Sequence, residues 1–299
     1  MKNLYLKTFI CVTEAGSFNK AADKLYLSPT SVIKQINQLE TELEVPLFER
    51  THRGLSLTAA GTSLYSDAKY IIDFCRDAIE RAQNAMAGNN NVIRVGTSPM
   101  TPPQTLSDLW PQIHKHFADI SFQLVPFENT RENAREILQN LGQNIDVVTG
   151  IVDSTFLNFR KCSGLEITRR PLCCSVSIYH SLAKRDVLTV QDLYGKNLMM
   201  IQKGWSQSMD TLREELMQNH SQINIIDFDF YDLNVFNHCE QTKDILVTIG
   251  LGQQVHPMMK EIPVEWNHSI PYGLLYSTEP SEIVQRLLTA VKLVMKSQL

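Results

Sequence analysis

Signals that start and stop helices recur along residues 1–40 at spacings that leave room only for short helices. Gly16 suits the left-handed conformation that ends a helix, and Ser17 suits the position that caps the next one. Ser28-Pro29 repeats the start signal, because serine caps helices and proline is favoured at their first position. Apolar residues lie near helical spacing between these points. We therefore predict two short helices, a tight turn and a third helix, which is the helix-turn-helix layout.

Two strand-like segments follow the third predicted helix. Residues 46–50 and 55–58 flank a short turn, which predicts a small β-hairpin, or wing. Residues 1–60 contain five Lys and two Arg against one Asp and five Glu, so this region is nearly neutral as a whole. Its cations nevertheless gather at the third helix and the wing, where the phosphates of a bound nucleic acid would lie.

These segments resemble the LysR-type transcriptional regulators. The resemblance implies a winged helix-turn-helix that binds double-stranded DNA and a second domain that binds a small-molecule effector. It also implies self-association as a homodimer or homotetramer, and contact with RNA polymerase. An unrelated three-helix module is the competing interpretation. The matching runs are Ser17-Phe18-x-Lys20-Ala21-Ala22-x-x-Leu25, Ser28-Pro29, Ile36-x-x-Leu39-Glu40, Pro46-Leu47-Phe48-Glu49-Arg50 and Leu57-Thr58-x-Ala60-Gly61.

The resemblance places DNA contacts on the third helix and the wing. At the position of Ile33 the family typically has serine, and isoleucine cannot donate a hydrogen bond. We expect Ile33 to pack on a thymine methyl group, with Thr30 or Lys34 making polar contacts, unless Ile33 is an ordinary core residue. Arg50 and Arg53 would bind phosphate or the minor groove and contribute affinity more than sequence preference. The predicted contact residues are Ser28, Pro29, Thr30, Ser31, Ile33, Lys34, Asn37, Arg50, His52 and Arg53.

One long helix is predicted from its N-cap, Thr58, to about Ala87, before the break at residues 88–91. Apolar residues recur along it at alternating spacings of four and three, which is the a/d seam of a coiled coil. A second copy of the same helix would cover this seam, so we predict a dimer through these helices. The seam residues are Leu64, Ala68, Ile71, Cys75, Ala78, Ala82 and Ala85.

Strands and helices alternate after residue 91, which predicts a mainly parallel sheet flanked by helices. Two α/β lobes joined near residues 161–164 and 267–271 resemble the periplasmic-binding-protein architecture of LysR-type sensing domains. This looser resemblance rests on Val95-Gly96, Leu109-Trp110-Pro111, His180-Ser181-Leu182-Ala183 and Gly250-Leu251-Gly252.

The predicted fold class is therefore α/β overall, with an N-terminal winged helix-turn-helix, a linker helix and a two-lobed effector domain. The predicted boundaries are 1–58 for the DNA-binding domain, 59–88 for the linker helix and 92–299 for the effector domain, with lobe 1 at 92–162 and 268–299 and lobe 2 at 163–267.

Ligands of open α/β sheets bind beyond the carboxyl ends of the strands, often at helix N-termini that favour anions. Hydroxyl, amide and backbone N–H groups in such places suit a small carboxylate, the commonest effector type in the resembled family. Ser98, Thr101 and Ser206 could instead be helix caps, and Trp205 could be ordinary packing. The predicted effector-binding residues are Ser98, Pro99, Met100, Thr101, Asn129, Thr149, Gln202, Trp205 and Ser206.

The cysteines leave a redox-sensing regulator of the same architecture open as an alternative. The six thiols include no CxxC pair, the usual spacing in zinc and thioredoxin-type sites. Cys173 and Cys174 would point to opposite faces of a strand, so we expect no disulfide between them. Cys239, beside His238, is the candidate sensor thiol.

Charge and motifs bear on the remaining classes of function. The net charge of −4 lacks the basic excess usual in nucleic-acid-binding proteins, although a sensing domain could dilute a basic reading head. The longest apolar runs fall short of a membrane span, and no secretion signal begins the chain. We therefore expect a cytoplasmic protein with no membrane partner. No GxSxG, HExxH, Walker or GxGxxG motif occurs, so we expect no enzyme, cofactor or metal site.

Overall fold

The computed structural model describes residues 3–51, 54–86, 91–252 and 255–297, and the chain divides into two units between Asn90 and Asn91. Within those ranges, every helix is too short or too polar to cross a membrane. Each unit has its own apolar core, so the two are described in turn.

The N-terminal unit begins with three helices. Gly16 has a φ of +64°, the left-handed conformation expected where a helix ends. Ser28 caps the third helix as predicted, because its Oγ accepts a hydrogen bond from the Ser31 N–H at 3.1 Å. Ser17 occupies the N-cap position of the second helix, but its side chain makes no capping hydrogen bond. The helices are α1 (Asn3–Ala15), α2 (Phe18–Leu25) and α3 (Pro29–Leu43).

One apolar cluster holds these helices together, with Val32, Ile36 and Leu39 of α3 buried in it as predicted. Glu40 fastens the end of α3 to the segment that follows. Its Oε1 accepts hydrogen bonds from the backbone N–H groups of Leu47 at 2.6 Å and of residue 48 at 3.1 Å. Glu40, the acidic residue of the run that resembles the LysR-type regulators, therefore positions the start of the wing.

The wing and the linker helix follow directly. Strands β1 (Phe48–Thr51) and β2 (Gly54–Leu57) pair antiparallel. Thr58 then caps α4 (Ala59–Met86), because its Oγ1 accepts a hydrogen bond from the Gly61 N–H at 3.0 Å. A Cβ on Gly61 would lie 2.1 Å from the Leu47 carbonyl oxygen, so a larger residue would push the helix away from the wing.

The first half of the predicted coiled-coil seam packs against the core of its own chain. Ala68 is fully buried in the cluster of the three N-terminal helices, and Leu64 and Ile71 pack against that cluster. An apolar stripe on a helix can be covered either by its own domain or by a second copy of the chain. The spacing of the apolar residues alone did not distinguish these two arrangements. Cys75 and Ala78 lie outside that cluster and are half-buried. A dimer contact is therefore better sought in this later part of α4.

The C-terminal unit is an α/β structure in which parallel strands form two groups. The first group, β3 to β5, belongs to what we call the first lobe, and β7 to β9 belong to the second lobe. The strands are β3 (Val92–Thr97), β4 (Ser121–Pro126), β5 (Val147–Ile151), β6 (Ser163–Ser177), β7 (Asn197–Ile201), β8 (Asn224–Phe228), β9 (Ile245–Ile249), β10 (Met259–Pro263) and β11 (Ser269–Tyr276). The helices are α5 (Gln104–His116), α6 (Arg131–Gln139), α7 (Ser154–Arg160), α8 (Gln207–Asn219), α9 (Leu233–Thr242) and α10 (Glu282–Ser297).

Long antiparallel strands begin where the sequence predicted the two crossovers between the lobes. The strand order is β4-β3-β5-β11-β6-β9-β7-β8, with β10 beside β6. The first part of β6 pairs with β11, and its second part pairs with β9 and β10. Strands β6 and β11 begin inside the two predicted crossovers, at Ser163 and Ser269, and residues 163–171 pair with residues 269–276.

The two central strands approach each other closely at Gly273. A Cβ on Gly273 would lie 1.9 Å from the carbonyl oxygen of Leu165 and 2.8 Å from the nitrogen of Ile167. The register of β6 and β11 shifts at this point, between Tyr272 and Gly273. Glycine is therefore required sterically where the two lobes are joined.

Candidate functional site

The N-terminal end of α3 presents a polar surface. The Ser28 hydroxyl that caps the helix also lies 2.8 Å from the Ser31 hydroxyl and 3.1 Å from that of Thr30. Ser31 is half-buried. The predicted contact residues that are exposed are Ser28, Pro29, Thr30, Lys34 and Asn37.

Ile33 is half-buried and lies outside the apolar cluster that contains Val32 and Ile36. This placement agrees with the prediction that Ile33 sits off the buried stripe, and its role in base contact stays a prediction. On the wing, Arg50 lies in β1 opposite Leu55, and its side chain is outside the described part. His52 and Arg53 lie entirely outside the described residues.

A cavity of about 150 Å³ lies in the C-terminal unit, at the carboxyl ends of parallel strands from both lobes. Met100 and Thr101 follow β3, and Asn129 follows β4. From the second lobe, Trp205 follows β7 and Tyr231 follows β8. Open α/β sheets bind ligands in this position, so the cavity is the candidate effector site.

Five of the nine predicted effector residues line this cavity. Two of them already use their polar groups within the protein. The Asn129 amide donates to the Tyr231 carbonyl oxygen at 2.7 Å, and the Thr149 hydroxyl donates to the Pro102 carbonyl oxygen at 2.6 Å. Thr149 lies within β5, whereas the sequence predicted that it follows the strand. The five lining residues are Met100, Thr101, Asn129, Thr149 and Trp205.

The other four predicted residues do not line it. Pro99 and Gln202 are exposed to solvent. The Ser98 hydroxyl is buried and lies 2.8 Å from that of Thr101, so it supports a lining residue. Ser206 is fully buried and donates its hydroxyl proton to the Asp153 carboxylate. Neither serine caps a helix with its side chain, which was the competing interpretation.

The link between Ser206 and Asp153 joins the starts of two helices. Asp153 caps α7, because its Oδ1 accepts a hydrogen bond from the Phe156 N–H at 2.9 Å. Its Oδ2 accepts from Ser206, which precedes α8 in the second lobe. Phe156, whose N–H binds Asp153, and Trp205, which directly precedes Ser206, both line the cavity. Their ring centroids are 5.3 Å apart.

Arg160, which sequence reasoning missed, is the principal cation of the cavity wall. It ends α7 and is only 5% exposed. Its Nε has no hydrogen-bond partner among the described residues, and the ring centroids of Phe156 and Phe159 lie 5.5 and 5.3 Å from its guanidinium. Burial lowers the pKa of Arg160, and the cations Arg135 and Arg131 lower it further. Arginine nevertheless stays protonated in proteins, so this is a buried positive charge.

A carboxyl group, Glu261, lines the same cavity from the second lobe. Burial raises the pKa of Glu261, against hydrogen bonds from Thr248 and the Gly252 backbone. The Thr248 hydroxyl lies 3.3 Å from Glu261 Oε2 and 3.3 Å from the Ser175 hydroxyl. Ser175 and Thr248 also line the cavity, so these three side chains form its polar wall.

The surroundings of Cys239, the candidate sensor thiol, do not support the redox alternative. Cys239 is fully buried, and burial raises its pKa to about 12. Burial also raises the pKa of Cys162 to about 11 and that of Cys173 to about 12. A reactive sensor thiol needs exposure and a lowered pKa, which Cys239 lacks.

The helix-turn-helix region has recognisable relatives. Residues 5–62 match the sequence model of the family described as "Bacterial regulatory helix-turn-helix protein, lysR family". A probable RuBisCO transcriptional regulator of Nostoc sp. is 29% identical over 254 residues, which cover 83% of this chain and 70% of the relative. The chain is a LysR-type regulator. The Hca operon transcriptional activator of Escherichia coli is 27% identical to this LysR-type chain over 258 residues, covering 86% and 82% of the two proteins.

Solved LysR-family structures share the fold along the whole chain. The crystal structure of CbnR, a LysR family transcriptional regulator, covers 99% of each chain with a TM-score of 0.62 at 20% identity. The structure of full-length CbnR complexed with its target DNA has a TM-score of 0.61 at 19% identity, covering 98% of this chain and 100% of CbnR. This LysR-type chain therefore has the family fold, with a helix-turn-helix followed by a two-lobed α/β domain. The named relatives are transcriptional regulators, which are not enzymes.

Proposed function

We propose that this LysR-type chain controls transcription by binding double-stranded DNA through α3 and the wing, and a small carboxylate in the cavity of the C-terminal unit. The buried guanidinium of Arg160 carries the effector half of the proposal. A desolvated cation without a carboxylate partner is costly, and a bound anion would offset that cost. Contact with RNA polymerase stays an expectation from the family resemblance.

The exposed row at the start of α3 supports the DNA half. An α-helix fits the major groove, and side chains near the N-terminal end of a recognition helix contact base edges. Thr30, Lys34 and Asn37 offer hydrogen-bonding groups on that surface, and half-buried Ile33 offers methyl groups beside them. CbnR has been seen complexed with its target DNA, and we extend DNA binding to this chain on the basis of the shared family.

Replacing Lys34 with alanine should weaken both specific and nonspecific DNA binding. If Lys34 neutralises one phosphate, the slope of log affinity against log salt should fall by about one. Lys7→Ala is the matched control, because Lys7 is also exposed but lies on α1. Fluorescence anisotropy at several salt concentrations measures both variants. Equal losses in Lys7→Ala and Lys34→Ala would show that total charge, rather than the α3 surface, sets the affinity.

We also propose that two chains associate through the later part of α4. Ala78→Glu should convert the protein to monomers, because a carboxylate at a close helix–helix contact must be desolvated. Ala78 is preferable to Ile71, which packs on the N-terminal core and would confound the result by destabilising that core. Light scattering reports the mass, and Gln83→Glu, at an exposed position off the seam, is the control. An unchanged mass for Ala78→Glu would place the dimer contact elsewhere.

A further inference from the structure

We propose that the cavity takes a single-ring molecule that carries a carboxylate for Arg160 and a separate hydrogen-bond donor for Glu261. This inference rests on the proposed function, since it names the ligand class of the same cavity. Arg160 comes from α7 and Glu261 from β10, so such a ligand would bridge the two lobes.

The anionic end of the ligand follows from the surroundings of Arg160. This side chain is 95% buried, and no carboxylate is among the described groups that act electrostatically on it. The Phe156 ring lies against the guanidinium, and Nε has no hydrogen-bond partner within the described part of the chain. A carboxylate can accept two parallel hydrogen bonds from a guanidinium fork, which a neutral amide cannot match.

The donor end follows from the direction of the hydroxyl chain on the opposite wall. The Thr248 hydroxyl has one proton, and when it donates to Glu261 it accepts from Ser175. The chain Ser175–Thr248–Glu261 therefore ends in a carboxyl group that accepts hydrogen bonds. In the part of the chain that the structure describes, Glu261 forms no ion pair with Lys, Arg or His. An O–H or N–H of the ligand would complete this site.

The body of the ligand follows from the size and walls of the cavity. A volume of about 150 Å³ is comparable to a cavity that holds benzene in another protein. Trp205 stands between Phe156 and Tyr231, with ring centroids at 5.3 and 5.6 Å. Trp205 and Tyr272 also line the cavity, and the indole N–H of Trp205 has no hydrogen-bond partner in the described residues. One ring with polar substituents suits these walls.

The same arrangement disfavours two neighbouring classes of molecule. A dicarboxylate would place its second negative charge against the Glu261 carboxyl group, which forms no ion pair with any described residue. An uncharged ring would leave the Arg160 guanidinium without an anionic partner among the described residues. Binding should therefore require one negative charge and one donor on the same ring.

Calorimetric titration of the full-length protein tests the ligand class directly. The probes are the three isomers of hydroxybenzoate, the matching hydroxybenzamides, benzoate, and the three benzenedicarboxylates. We expect at least one hydroxybenzoate to bind about tenfold or more tightly than its amide, than benzoate and than any dicarboxylate. A wild-type protein that binds no hydroxybenzoate more tightly than these three controls overturns the inference.

Three variants and one control assign the contacts. Arg160→Met keeps an unbranched apolar side chain, removes the guanidinium and should abolish the preference for the acid over the amide. Glu261→Met should abolish the preference for hydroxybenzoate over benzoate, whereas Glu261→Gln keeps an accepting oxygen and should retain it. Glu279→Gln, at an exposed position, is the control. If Arg160→Met retains the acid preference, the carboxylate does not bind Arg160 and the inference is wrong.

Operator binding separates this inference from the proposed function. Ligand-free affinity for DNA and the melting temperature show whether each variant is folded. If an operator footprint responds to some other carboxylate through Arg160, the ligand class is wrong and the proposed function stands. If no carboxylate changes DNA binding in the wild type, the proposed function itself fails. Should Arg160→Met not fold, the comparison of acids, amides and dicarboxylates on the wild type still decides.

Discussion

Gly273→Ala is expected to destabilise the C-terminal unit by about 3 kcal/mol or more, because the new methyl group has no space. Its Cβ would lie 1.9 Å from the Leu165 carbonyl oxygen and 2.8 Å from the Ile167 nitrogen. Both are backbone atoms of β6, so no change of rotamer can relieve the overlap. The strands would have to separate where their register shifts, at the junction of the two lobes.

Gly150→Ala is the matched control for this prediction. Gly150 pairs with Gly273 across β5 and β11, but its Cβ would meet mainly the end of the Leu275 side chain, at 2.8 Å. A side chain can rotate away, so the cost should be about 1 kcal/mol. Trp110, Trp205 and Trp266 are the three tryptophans and all lie in the C-terminal unit, so their fluorescence during urea unfolding reports on that unit. Equal shifts for the two variants would contradict the close approach at Gly273.

Asp153→Ala should lower the free energy of unfolding by about 2–4 kcal/mol, since it removes two interactions at once. The first is the hydrogen bond that caps α7, which the Phe156 N–H donates to Asp153 Oδ1 at 2.9 Å. The second is the hydrogen bond from Ser206, whose hydroxyl would be left fully buried and unpaired. Because α7 ends at Arg160, carboxylate affinity should fall along with stability.

Ser206→Ala separates the two contributions. It removes the link between the lobes and leaves the cap of α7 in place, so about 1 kcal/mol should be lost. Asp153→Asn keeps a capping oxygen, and asparagine is as good a cap as aspartate. Thermal unfolding followed by tryptophan fluorescence ranks the three variants. A Ser206→Ala protein as unstable as Asp153→Ala would mean that the α7 cap contributes little.

Local signals explain what the sequence could predict. The cap at Ser28, the turn at Gly16 and the stripe of Val32, Ile36 and Leu39 depend on residues close in the chain, and all appear in the structure. The position of the cavity was predictable as well, because parallel strands bring their carboxyl ends together. That rule selected Met100, Thr101, Asn129, Thr149 and Trp205, which line the cavity; their contact with an effector stays a prediction.

Longer-range pairing and burial explain what it could not. The first part of β6 contains Arg169-Arg170-Pro171, which does not have the composition of a strand, yet β11 pairs with it across the chain. Arg160 has the pattern of a surface cation on a short helix, and its burial depends on packing between distant elements. The local signal that could have identified Arg160 was Asp153, which caps a short helix. Phe156 and Arg160 are four residues apart and therefore lie on one face of that helix.

The paired strands at the junction suggest how ligand specificity could be exchanged between relatives. The chain leaves the first lobe along residues 163–171 and returns along the facing Ser269–Tyr276, so these strands bracket the second lobe. A foreign second lobe grafted inside them would keep this register and the packing beneath it. Arg160 would remain with the recipient, while Glu261 would be replaced by whatever the donor carries at that position. If Arg160 and Glu261 bind the effector as proposed, the junction would make the anion-binding residue a fixed part and the second recognition residue an exchangeable one.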